Sequence, residues 1–351
     1  MTPETPPKDP TTDYLLTIAV PTFDRWPMVS ALVDSLSSNI DPAETRVEIV
    51  IYDNDSPQSH VEVQRHPGGP VRTIRNQVNL GIEGNIIFSL LHSPGKYIWL
   101  LSDHQISVAP IAPLLDFLSG TEVDYVHCGI EQYPIPLELD FSARQVPEMS
   151  RAELSDIVYQ SGNISTFLAR SSLIRDNARQ IFRFSGFSYP HLGIFCSSQL
   201  NKVAQAGILT RFDESEQATQ RASYDRFKSR FIGNLEALSR IRSLNPRINA
   251  SPYFGKSRTI ITRGAIWDGI QIVCFDDQAD VLYRRRELLH CAVLNESWVR
   301  WFYVSAFLLY LAPCSIRRLV CRCFFSLIIP AKFSRIRSSS HKFKIDDKTR
   351  E

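Results

Sequence analysis

The chain lacks a glycine-rich turn after its first apolar run. That turn reads Pro21-Thr22-Phe23-Asp24-Arg25. A dinucleotide-dependent oxidoreductase needs Gly-X-Gly-X-X-Gly there, so that the backbone can approach a pyrophosphate. Its absence argues against that class. Charge of one sign is also lacking: 39 Lys and Arg face 37 Asp and Glu, a net charge of +2, so bulk charge selects no nucleic-acid or acidic partner. The seven cysteines (Cys128, Cys196, Cys274, Cys291, Cys314, Cys321 and Cys323) are odd in number and follow no paired spacing. They read as free thiols of a reducing compartment, mostly buried, and the Cys314, Cys321 and Cys323 group matches no zinc pattern. The first residues, Met1-Thr-Pro-Glu-Thr-Pro-Pro-Lys8, lack the basic and apolar regions of a signal peptide. The expectation is a catalytic part that stays in the cytoplasm. No apolar run reaches the roughly 20 residues that span a bilayer.

What is present is an alternation of apolar segments. After a polar stretch over 1–13, expected to be disordered, Leu15-Leu-Thr-Ile-Ala-Val20 reads as a buried strand stopped by Pro21. Val29, Leu32, Val33 and Leu36 then fall on one helical face. Further strands are predicted at Val47–Tyr52, Val71–Ile74, Tyr97–Leu101 and Val123–Cys128, with helices at about Glu83–His92 and Ile111–Leu118. Such alternation implies an α/β fold with a mainly parallel, doubly wound sheet. Ligands of such sheets bind beyond the carboxyl ends of the strands. Thr22, Asp24, Asp53, Asp55 and Asp103 collect at those ends. The signal is weaker further on. Residues 131–150 hold three prolines and read as a long connection. Ser161–Leu168 reads as a strand or loop. Ser171 is placed as the cap of a helix with Leu173, Ile174, Ala178 and Ile181 on its apolar face. His191 opens an apolar helix through Val203, and a last helical pattern runs from about Asp225 to Leu244.

Four segments occur in one order: Ile18-Ala-Val-Pro-Thr-Phe-Asp-Arg25, Ile49-Val-Ile-Tyr-Asp-Asn-Asp-Ser56, Asn79-Leu-Gly-Ile-Glu-Gly-Asn85 and Gly95-Lys-Tyr-Ile-Trp-Leu-Leu-Ser-Asp103. Together they resemble the family 2 glycosyltransferases of the GT-A fold, bacterial polysaccharide type, over about residues 14–130. The resemblance implies transfer of a sugar from a nucleoside-diphosphate sugar, UDP-linked, with inversion. It implies a nucleotide-sugar site lined by Pro21, Thr22 and Asp24, with Asp53 accepting from the base edge, Asn85 nearby and Asp103 at the ribose. A carboxylate suits the base edge because it only accepts hydrogen bonds. Asp103 also matches the first acid of the family's Asp-X-Asp motif, which helps hold Mn²⁺ or Mg²⁺ against the leaving diphosphate. Here the motif reads Asp103-His104-Gln105, so a metal would rest on Asp103 and the neutral Gln105. Three outcomes stay open: weak metal binding, metal held mainly by diphosphate, or catalysis without metal and with a basic side chain in its place. The family's general base comes from a downstream loop, which here is acid-free. His191 is its one side chain able to take a proton near neutral pH, with Asp213 and Glu214 in reserve. Arg75 reads as a solvated strand-end charge.

The expected organisation is a GT-A domain over 14–245, divided into a nucleotide half (14–130) and an acceptor half (131–245). A helical region over 246–337 and a basic polar tail over 338–351 follow. Trp298–Ala312 and Leu319–Ile329 are apolar and aromatic, carry Arg300 and Arg322, and are flanked and followed by basic residues: Ile316–Glu351 holds ten Lys or Arg against three Asp or Glu. This suits helices lying in a membrane interface, at the inner face of the cell membrane, beside a glycan or lipid-linked glycan acceptor in surface polysaccharide synthesis. Its aromatics are not interleaved with charge, which argues against nucleic acid. The altered Asp-X-Asp also admits a second class: an inactive GT-A-like scaffold at the membrane surface.

Overall fold

The computed structural model describes residues 14–57, 71–132, 139–186, 189–212 and 234–245. All of them lie in the first of the two units into which the chain divides, Met1–Arg258 and Thr259–Glu351. The expected helical region, its membrane-facing segments and the tail lie outside the described residues.

The elements alternate as the apolar pattern requires. Strand β1 (Leu16–Thr22) is followed by α1 (Trp26–Ser38), β2 (Val47–Asp53), β3 (Val71–Arg75), α2 (Gly81–His92) and β4 (Tyr97–Leu100). Then come β5 (Gln105–Val108), α3 (Ala112–Gly120), β6 (Tyr125–Gln132), β7 (Phe141–Gln145), α4 (Arg151–Gln160) and β8 (Phe167–Arg170). Short helices α5 (Ser171–Asp176) and α6 (Ala178–Arg183), a 3₁₀ segment Pro190–Cys196, β9 (Lys202–Phe212) and α7 (Asn234–Leu244) complete them. The strands form one sheet in the order β3-β2-β1-β4-β8-β6-β9-β5, with β7 also on β9. The first four strands are parallel neighbours. Strand β8 inserts antiparallel between β4 and β6, so β6 and the parallel β9 still point the same way as β1. The expected α/β class and mainly parallel sheet hold.

The sheet is covered on both faces, which is why its strands are apolar runs rather than alternating ones. Leu16, Ile18 and Val20 of β1 pack with Leu32 and Leu36 of α1 and with α3. Ala19 faces the other layer, where Ile86, Ile87 and Leu90 of α2 meet α4, α5, α6 and α7. Val29, Leu32, Val33 and Leu36 are fully buried, each contributing roughly 2 kcal/mol.

The structure corrects several boundaries. Strand β1 runs through Pro21 to Thr22 instead of stopping. The residues on either side of Pro21 bond alternately: Ala19 O receives from Leu101 N, on the β4 side, and Thr22 O from Asn54 N, beyond β2. Pro21 therefore faces the β4 side, where β4 has already ended, and its missing N–H costs no ladder bond. The 131–150 connection contains β7, and α4 follows it on a Ser150–Glu153 capping box. Ser171 is the first helical residue and makes no cap bond. The predicted helix breaks into α5 and α6 at Asn177. His191 lies in the 3₁₀ segment, and the helix expected to run to Val203 stops at Cys196, with β9 starting at Lys202.

Candidate active site

The parallel strands β1 and β2 end side by side, with Thr22 opposite Asp53. The chain leaves both ends through residues with positive φ, Asp24 at 53° and Asp55 at 63°. Short polar side chains tolerate this left-handed region better than others. Ser56 joins the two turns. Its Oγ accepts from Asp24 N at 2.7 Å and donates to Asp53 Oδ1, which also accepts from Ser56 N at 3.1 Å. One oxygen of Asp53 is thereby fixed. The other, Oδ2, is buried without a hydrogen-bond partner, and the nearest cation is Arg75 Nη1 at 3.8 Å. Arg75 is exposed, as expected of a strand-end charge, but it is also bonded: Nη2 donates to Asp55 Oδ1 at 2.9 Å and to Ser56 O at 2.8 Å, bracing the turn around Asp53.

Asp103 follows β4 and reaches the same edge. Its Oδ2 accepts from Thr22 Oγ1 at 2.9 Å, and its Oδ1 lies 3.3 Å from Arg25 Nη1. The same Arg25 nitrogen meets His104 Nε2. The loop before β8 anchors this end: Ser102 N donates to Ser165 Oγ at 3.0 Å, and Trp99 Nε1 to Ser165 O at 2.8 Å. Thr22, Asp24, Asp53 and Asp103 thus gather at one edge, beside the half-buried Pro21. Sequence reasoning missed Ser56 as a member, and placed Arg25 only as the end of the segment that lines the pocket, without its partners Asp103 and His104. An Asp followed three residues later by Ser, at a strand end, was the available signal for Ser56.

Asn85 lies near the start of α2, four residues beyond the first helical residue. Its Nδ2 donates to Tyr52 O at 2.9 Å and Thr22 O at 3.4 Å, and its Oδ1 accepts from Asn76 Nδ2 at 3.0 Å. Its hydrogen bonds tie the ends of β1 and β2 to α2.

His191 is a further correction. Its ring is fully buried, 5.3 Å edge-on from Phe167, with Nε2–H donating to Ser161 O at 2.8 Å and Nδ1 without a partner. Burial lowers its pKa to about 4. An enclosed, weakly basic imidazole is not placed to take a proton from an acceptor hydroxyl. Asp213 and Glu214 lie outside the described residues.

The described residues do not fit a divalent cation. Both Asp103 oxygens are engaged, and a guanidinium stands on its Oδ1 side, where it would repel a metal. Gln105 opens β5 opposite Phe212, but its side chain is outside the described residues. Among the described residues no group of three His, Cys, Asp or Glu side chains could hold a metal ion. The described thiols Cys128 and Cys196 are free, as the cysteine spacing implied.

A strand-end site of this kind occurs on several α/β folds, and comparison with known proteins decides among them. Residues 17–182 match the family described as Glycosyl transferase family 2. These residues belong to that family. The chain is accordingly a glycosyltransferase, and the match covers β1 through most of α6. No curated protein matches the sequence. Among solved structures, S. aureus TarS 1–349 in complex with UDP-GlcNAc is similar at 12% identity, over 89% of this chain and 91% of that one, with a TM-score of 0.57. The same TarS fragment in complex with UDP gives 10% identity, the same coverage and a TM-score of 0.53. A mannosyltransferase from Pyrobaculum calidifontis, in complex with GDP-Man and Mn²⁺, is similar at 13% identity over 91% of this chain and 89% of that one, with a TM-score of 0.45. The TarS likenesses are of fold: the transferase domain here is GT-A.

Proposed function

We propose that this glycosyltransferase takes its sugar from a UDP-linked donor and passes it, with inversion, to a glycan or lipid-linked glycan during surface polysaccharide synthesis. The observation that carries the donor side is Asp53. A fully buried carboxylate with one oxygen fixed and the other unbonded, at the end of a parallel strand, is an acceptor waiting for a donor. The N–H of a pyrimidine base supplies one. The TarS fragment that shares this fold was solved with UDP-GlcNAc, which supports uridine over other bases. On the acceptor side, inversion needs a base on the face opposite the leaving group. With His191 enclosed, Asp213 and Glu214 are the sequence candidates. They follow β9, whose end at Phe212 pairs with Gln105 beside Asp103.

Calorimetric titration of the full chain with UDP, GDP and dTDP tests the donor reading. Micromolar binding of UDP alone, weakened at least tenfold in Asp53→Asn, is the expected result. Binding of none of the three by folded protein would sink it in favour of the inactive scaffold. For the base, Asp213→Asn and Glu214→Gln should divide cleanly: one loses transfer while keeping UDP affinity. Full turnover in both variants would remove these residues from the mechanism.

A further inference from the structure

We propose that Arg25 supplies the positive charge on which the nucleoside diphosphate leaves, in the position where the family motif would place a divalent cation. The inference rests on the reading of this site as a nucleotide-sugar site. Arg25 stands at the N-cap position of α1, directly after the β1 turn, so its backbone is fixed by the sheet edge. A single nitrogen, Nη1, makes both of its side-chain contacts, to Asp103 Oδ1 and His104 Nε2. Among the described residues Nε and Nη2 meet no acceptor, and the side chain is 25% exposed. A guanidinium offers five N–H groups in a planar fork that matches two phosphate oxygens. The structure therefore holds a cation whose head is oriented by a buried acid and whose remaining donors are available to a ligand. Arg75, the other cation at this edge, is held on the β2 turn by Asp55, the Ser56 carbonyl and Asp53, and makes no contact with Asp103. Gln105 in place of the motif's last acid fits the same arrangement: with the cation covalently part of the chain, a second anionic ligand would have nothing to bind.

In the transfer step, the acceptor oxygen forms a bond to the anomeric carbon and gives its proton to a base or to water. The bond from that carbon to the β-phosphate oxygen breaks, and its electron pair stays on the diphosphate. The leaving group gains one negative charge, and Arg25 donates two hydrogen bonds to it. Charge that develops only as the bond breaks is where a preorganised cation lowers the barrier.

The test compares UDP and uridine binding to the full chain, with EDTA and with Mn²⁺, in wild type, Arg25→Lys and Arg25→Gln. UDP affinity should change less than threefold between EDTA and Mn²⁺. Arg25→Gln should weaken UDP at least tenfold while leaving uridine binding intact, which also reports folding. Arg25→Lys should fall between, because an ammonium keeps the charge and loses the fork. UDP binding that requires Mn²⁺ and survives Arg25→Gln would overturn the role of Arg25 and leave the transferase reading standing. Failure of both UDP and uridine to bind would overturn both.

Discussion

At the scale of single residues, the site is defined by what is left unsatisfied. Asp53 Oδ2 is buried with no hydrogen bond, a state that native proteins avoid unless a ligand completes it. A charge-assisted hydrogen bond is worth roughly 1.5–3 kcal/mol, so Asp53→Asn should cost tenfold or more in UDP affinity. The amide still offers an oxygen to Ser56, so the fold should survive. Asp53→Ala would also strand the Ser56 N–H, and its effect on binding would be mixed with a loss of stability. Outside the site, His191 Nδ1 is also buried without a partner. Burial lowers its pKa to about 4 from the ordinary 6.5, and does the same to His127. The native state therefore binds fewer protons than the unfolded chain between these values. Stability is fully present above about pH 6.5 and is lost as the pH falls toward 4, by roughly 3 kcal/mol for each imidazole. In His191→Gln an amide can keep the bond to Ser161 O but cannot titrate. Denaturant midpoints measured from pH 7 to 4 should fall less steeply for this variant. Identical slopes in variant and wild type would show that the ring is not buried as described.

At the scale of elements, α2 determines whether the strand ends stay together. Asn85 reaches from the helix to the last carbonyls of β1 and β2 while holding Asn76, and Asn54 bonds both Asn76 and Asn79 in the turn that leads into α2. Asn85→Ala leaves two buried carbonyls and the Asn76 amide without that partner, which should lower stability by about 1–3 kcal/mol and weaken UDP through the strand ends that Asn85 holds together. Thermal unfolding beside calorimetry separates the two effects; normal stability with lost binding would point instead to the ligand-facing role that the family resemblance implied. Elements with strong apolar periodicity were legible: α1 from four residues at helical spacing, β1, β2 and β4 from continuous apolar runs flanked by turns. Strand β5 was not, because four residues of mixed polarity carry no period, and it exists by pairing with the distant β9. Strand β7 was hidden by neighbouring prolines for the same reason, since β9 supplies its register. Helix α4 had a readable start at Ser150-Arg-Ala-Glu153, overlooked inside a proline-rich stretch. The site divides along the same line. Thr22 and Asp53 end strands that were legible and Asp103 follows one, whereas the partners of Arg25 and the enclosure of His191 depend on tertiary contacts that no local pattern announces.

At the scale of the whole molecule, the question is where the transferase domain works. No helix among the described residues is long and apolar enough to cross a membrane. The sequence beyond them holds the two apolar, aromatic segments at 298–312 and 319–329, with a strongly basic stretch after them. Aromatic residues at headgroup depth and Lys or Arg over anionic lipid favour association by about 1 kcal/mol per basic residue near the surface. That charge contribution is screened within about 8 Å at physiological salt. The full chain should therefore sediment with vesicles containing phosphatidylglycerol, less with neutral vesicles, and progressively less as salt rises from 0.05 to 0.5 M, roughly the range over which screening deepens. A variant lacking 298–337 should stay in the supernatant while still binding UDP, which shows that its catalytic part is folded. If that variant sediments like the full chain, the contact lies elsewhere and a lipid-linked acceptor loses its main support. If both stay in solution and bind UDP, the acceptor is a soluble glycan and the basic tail has another purpose.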